Sequence, residues 1–185
     1  MKDILKPAIA LIIISSVAAG MLGYVNSITL KAIEAQILQA QADSMNQVLP
    51  NASSFGDTIA INEGIIDSIT PALDQNGDTI GYAIAITTTG FGSGLQLMYG
   101  INSEDNSITG LSIISSENET PGLGANINNP EWTDQFIGKS GNISVTQDGG
   151  DIDAISSATI TSRAVTDAAT TALNFYEQNL KGGNN

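Results

Sequence analysis

From Pro7 to Leu30 the chain reads PAIALIIISSVAAGMLGYVNSITL, 24 residues without a charge. As a helix that stretch spans roughly 36 Å, enough to cross the hydrocarbon core of a bilayer with some tilt. Pro7 falls at its start, where a missing N–H costs nothing. A buried core helix is a poor alternative, because the run is too long and too uniformly apolar for a small domain. A cleaved signal peptide is the other reading, with Val17-Ala18-Ala19 as a small-residue cleavage site. Apolar sequence continues through Met21, Leu22, Tyr24 and Val25, beyond an ordinary signal core, and favours a retained anchor over residues 1–30. Lys2 and Lys6 precede the span. They predict a single pass through the cell (inner) membrane, with the N-terminus cytoplasmic and the rest of the chain extracytoplasmic.

KAIEAQILQAQADSMNQVLP then predicts a helical connector over 31–50, with Ile33, Ile37, Ala40 and Met45 near one face and Pro50 past its end. From about Phe55 to Ser116 the pattern changes to strands. Two β-prone runs flank Asn76-Gly77, a strong hairpin signal, and a second pair flanks Ser103 to Asn106. Four strands from two hairpins make an antiparallel sheet. The loop ETPGLGANI follows, then NPEWTDQFIGK, a short helix with Asn129 as cap and Pro130 in its first turn. A final helix carries Ala164, Val165, Ala168, Ala172 and Tyr176 as an apolar stripe, with Gly182 past its stop. Residues 51–185 thus read as one α+β domain behind the anchor.

Composition narrows the chemistry. With no Cys and no His, this chain cannot hold an iron–sulfur cluster by thiolates, ligate haem or zinc by imidazole, or build a Ser-His-Asp arrangement. Redox or transfer chemistry would need a bound cofactor. Nineteen acidic against six basic residues give a net charge of −13, which disfavours nucleic acid as a partner.

The stretch DIDAISSATITSRAV, Asp151 to Val165, then stands out for its hydroxyls: Ser156, Ser157, Thr159, Thr161 and Ser162 lie ahead of the last helix. Thr161 or Ser162 suits an N-cap. The same helix start could hold a phosphate on its free N–H groups, with Arg163 adding a cation. Spacing does not choose between cap and phosphate site.

DAISSAT, Asp153 to Thr159, resembles the flavinylation motif of the FMN-binding domain family: Asp, two residues, Ser or Thr, Gly, Ala and Thr. In that family a separate flavin transferase joins FMN to the last Thr through a phosphoester. The resemblance implies covalent FMN on Thr159, with Ser156, Ser157 and Ala158 beside it and Asp153 recognised by the transferase. Ser157 stands where the family usually has Gly, which reaches backbone conformations that Ser resists.

The landmarks GYAIAITTTGFGSGLQLMYGIN, ITGLSIISSENETPGLGANI and WTDQFIGKS are similar, in this order, to G subunits of Rnf-type ferredoxin:NAD oxidoreductase complexes. C subunits of sodium-translocating NADH:quinone reductases share the anchor, an ETPGLG-like loop and the flavinylated Thr, but are usually longer chains. By itself ETPGLG is an ordinary turn. Within the resemblance, Thr120, Gly122 and Leu123 become FMN contacts, and Gly122 and Gly124 let backbone approach a ring or phosphate closely. The implied role is an electron-carrying subunit without catalytic activity or metal of its own. Its implied partners are the other subunits of a membrane redox complex and, during maturation, a flavin transferase. A structural subunit without a working flavin site, and an anchored binding domain for an unrelated ligand, are the other readings.

Overall fold

The computed structural model describes residues 2–181; Gly182, expected just past the final helix, lies outside them. Anchor and connector are one continuous helix, α1 (Lys2–Val48). Residues up to Ala40 form one compact unit and those from Gln41 a second. In the first unit, Pro7–Thr29 is a 23-residue segment of mean hydropathy 2.2, none of it buried. Water does not suit such a surface, since a helix apolar all round needs lipid or protein about it. Of the expected apolar face of the connector, Ile37 is exposed, whereas Met45 packs beside the buried Val48.

The second unit is built on a six-stranded antiparallel sheet: β1 (Ser54–Phe55), β2 (Ile59–Glu63), β3 (Ile66–Leu73), β4 (Thr79–Thr88), β5 (Leu95–Asn102) and β6 (Ile108–Ser115). β3 through β6 run in sequence order, and β1 and β2 both pair with the free edge of β3. The two hairpins turn at the expected places, Asn76-Gly77 and the segment before Ile108. β1 and β2 were not expected. They are short, and β3 rather than their own pattern specifies them.

Strand alternation divides the sheet into unequal faces. Ile84, Ile86, Leu97, Tyr99, Ile101 and Leu111 point to one side and build the main core with the last helix, α3 (Thr159–Phe175). Tyr99 OH reaches through this core to the Val165 carbonyl at 2.7 Å, and burial pushes its phenol well above the ordinary value, so it remains a donor. The other side carries Ala83, Ala85 and Met98, packed with Val48 and Leu49. Gly100 and Gly110, paired across β5 and β6, leave room there for the end of α1. A Cβ on Gly110 would stand 2.9 Å from the Val48 Cα. Thr109 Oγ1 donates to the Val48 carbonyl at 2.5 Å, and the buried Ser112 hydroxyl meets Ser44 and Gln47. The last residues of α1 therefore belong to the domain.

Between β6 and α3 lies α2 (Pro130–Thr133), capped as expected: the Asn129 side chain accepts from Glu131 N–H at 3.1 Å, and Pro130 follows. Trp132 and Phe136 from this region pack edge to face beneath the sheet.

Candidate functional site

A cavity of about 310 Å³ opens where three segments meet. The loop between β4 and β5 supplies Phe91; the ETPGLG loop supplies Thr120, Leu123 and Gly124; the start of α3 supplies Ser157 to Thr161. Its size lies at the small end of the range for ligand pockets. Phe91, Leu123 and Ile160 are large apolar side chains exposed at 70%, 40% and 57%, an unusual gathering around one opening. Among the described residues no Lys or Arg lines it. Arg163, the fifth residue of α3, is held instead by Asp148, at 2.6 Å through Nε and 2.7 Å through Nη2.

The hydroxyl-rich stretch divides here. Helix α3 begins at Thr159, with Ala158 as N-cap residue and no side-chain cap. The expectation that Thr161 or Ser162 caps the helix is therefore corrected: both lie inside its first turn and are fully buried. A cap must sit one residue before the helix with extended backbone, and the helix starts too early for either. Their hydroxyls turn to the protein. Ser162 Oγ accepts from Ile155 N–H and donates to the Ala158 carbonyl, both at 3.0 Å, closing the turn that leads into α3. Thr161 Oγ1 donates to Glu119 Oε2 at 2.7 Å.

Thr159 is half-buried and lines the cavity, and among the described residues its hydroxyl has no hydrogen-bond partner. Ser156 and Ser157 are exposed; Ser157 and Ala158 line the cavity and Ser156 does not. Ser157 has φ +62°, the left-handed region, at the position where the resembled motif has Gly. That conformation costs a residue with a Cβ roughly 1–2 kcal/mol. Asp153 lies at the other end of this loop. Its backbone is clamped, N–H to Gln135 Oε1 at 2.7 Å and carbonyl to Trp132 Nε1 at 2.8 Å, while the residue stays exposed. Gly122, also exposed, has φ +75° and lies outside the lining.

Sequence reasoning missed Phe91, Ile160, Thr161 as a lining residue, and Glu119. The loop TTTGFGSG, glycines around a lone aromatic, held a signal for the first of these. Glu119 is only 4% exposed and accepts from Gly92 N–H at 3.1 Å as well as from Thr161. No local pattern distinguishes it from a surface glutamate.

Comparisons with known proteins point to one family. The FMN-binding domain family matches residues 90–174, which contain all three walls of the cavity, and the RnfG N-terminal region family matches residues 1–48, the whole of α1. The G subunit of an ion-translocating oxidoreductase complex from Methanosarcina acetivorans is 33% identical over 179 residues, covering 94% of this chain and 95% of that one. The chain belongs to this G-subunit family. The G subunit of the Na(+)-translocating ferredoxin:NAD(+) oxidoreductase complex of Acetobacterium woodii is another relative, 36% identical over 97% of this chain and 94% of its own length. The α+β fold recurs in the C subunit of the Na(+)-translocating NADH-quinone reductase from Parabacteroides distasonis. That structure aligns with TM-score 0.57 and 22% identity over 80% of this chain and 96% of its own.

Proposed function

We infer that this G-subunit family member is an electron-carrying subunit of an Rnf-type membrane complex, working through FMN joined to Thr159 by a phosphoester. The observation that carries this reading is the placement of Thr159. Its uncommitted hydroxyl lines an apolar-walled cavity at the first residue of α3. The relatives' names supply the complex: a ferredoxin:NAD(+) oxidoreductase in one case, an ion-translocating oxidoreductase in the other.

The residues fit such a group. A phosphate on Thr159 Oγ1 would lie at the uncapped start of α3, where free N–H groups and the helix dipole favour negative charge. With Arg163 committed to Asp148, no cation among the described residues lines the cavity to retain a free phosphate. A covalent bond would replace that ion pair and prevent loss of the group. Phe91, Leu123 and Ile160 would offer apolar surface to a flat ring, and Thr120 a hydroxyl. When bound, FMN supplies the electron-transfer chemistry; the protein positions and shields it. The exposed Asp153, on a clamped backbone, is presented to a flavin transferase. The apolar half of α1 anchors the domain, with the N-terminus cytoplasmic and the flavin site outside, among the other subunits of the complex.

The test is mass spectrometry of the full chain coexpressed with a flavin transferase. Cleavage after Lys139 and Arg163 releases one peptide containing both Thr159 and Thr161. Fragmentation is expected to place FMN on Thr159; flavin on Thr161, or none, overturns the assignment. Protease added to intact cells is expected to digest the chain beyond Lys31; protection there reverses the orientation.

A further inference from the structure

We propose that Glu119 is a positioning residue: its buried carboxylate sets the spacing of the cavity's three walls. The inference rests on Thr159 being the site of FMN attachment. Oε1 accepts from Gly92 N–H in the Phe91 loop at 3.1 Å, and Oε2 accepts from Thr161 Oγ1 in α3 at 2.7 Å. Thr161 Oγ1 in turn receives a longer bond, 3.4 Å, from Phe91 N–H. Glu119 itself begins the ETPGLG loop, so one side chain ties together segments that are distant in sequence and that each contribute lining residues.

Packing makes the carboxylate hard to replace. A Cβ on Gly90 or on Gly124 would collide with its oxygens, so backbone closes on it from two sides. It has no cationic partner: among the described residues the ion pairs are Lys139–Asp151, Arg163–Asp148 and Lys181–Glu177. A buried carboxylate without a cation is costly unless donors surround it. Here the donors come from the two opposite walls. An apolar side chain could fill the same space, but only directional bonds fix where Phe91 stands relative to Thr159.

The test uses the full-length chain in detergent, coexpressed with a flavin transferase, as wild type, Glu119→Gln, Thr161→Val and Thr161→Ser. Amide exchange reads the clamp, and iodide quenching of flavin fluorescence reads how far the ring is shielded. In Glu119→Gln and Thr161→Val the Gly92 amide is expected to exchange roughly tenfold faster or more. Quenching should rise while the flavin stays on Thr159, and Thr161→Ser should restore both. Wild-type exchange and quenching in Glu119→Gln and Thr161→Val overturn the proposal, as does a Thr161→Ser protein that behaves like Thr161→Val. If Glu119→Gln does not fold, the two Thr161 variants make the same comparison. A wild-type chain without covalent flavin would refute the Thr159 reading instead, and the exchange data would still judge the clamp.

Discussion

Thr159 and Ser162 are hydroxyl residues less than one helical turn apart, and their surroundings are opposite. Ser162 is fully buried, with its oxygen both accepting and donating. Thr161 beside it is buried and bonded to Glu119. Thr159 and the two serines before it face the cavity or solvent, and among the described residues their hydroxyls have no partner. Partners rather than helix rotation produce this division, since Ser162 lies only about 60° around the helix from Thr159. The Ser162 oxygen is taken up by the Ile155 N–H and the Ala158 carbonyl, and Thr161, although it lines the cavity, is held by Glu119. A hydroxyl with hydrogen bonds inside the protein is part of the fold. One held at a helix start without them is available for chemistry.

The largest expected effect comes from removing the uncommitted oxygen. Thr159→Ala should abolish covalent flavin on denaturing gels while moving stability by less than about 0.5 kcal/mol, as for a substitution that breaks no internal contact. A Thr159→Ala chain that stays covalently fluorescent would erase the distinction. Ser162→Ala should do the reverse. It strands the Ile155 N–H and should cost about 1–2 kcal/mol by denaturant unfolding, with flavin still attached.

Ser157→Gly sharpens the contrast more gently. Relief of the left-handed backbone, roughly 1–2 kcal/mol, is offset by about 0.4–1 kcal/mol of added freedom in the unfolded chain. A net gain in stability and an equal or faster rate of labelling are expected. A destabilised or unlabelled Ser157→Gly would mean that the Ser side chain itself is required.

The smallest effect belongs to the exposed pair of Asp148 with Arg163. The Arg163 hydrogen bond, then its charge, holds the Asp148 carboxyl below its ordinary value. The stabilisation is present above that ordinary value and is lost as pH falls through the lowered one. Thermal unfolding of wild type and Arg163→Ala should therefore differ slightly at neutral pH and converge in acid, below about pH 4. Divergence on acidification would contradict this sign.

Much was legible because it depends on local rules. The apolar span needs only its length, the hairpin at Asn76-Gly77 only its turn residues, and the Asn129–Pro130 helix start only its cap. The β-prone runs located four strands of the sheet, although they did not say which face each residue would take or reveal β1 and β2. These are short edge pieces that exist only because β3 offers them partners. The start of α3 was misplaced because hydroxyls read as caps wherever they precede a helical pattern, and only the backbone shows where the helix begins.

The sequence by itself determined that the chain has one long apolar helix, that an α+β domain follows it, and that Thr159 ends a motif resembling a flavin attachment site. Each of these is written in neighbouring residues. Tertiary structure alone decided which hydroxyls are buried and which are open, and that the end of α1 seats on a glycine-lined face of the sheet. It also decided that the cavity is walled by Phe91 and Ile160, and that Glu119 is a buried carboxylate joining a loop 27 residues before it to a helix 42 residues after it. Those are contacts across long sequence separations, and no local pattern encodes which distant partner a side chain will meet.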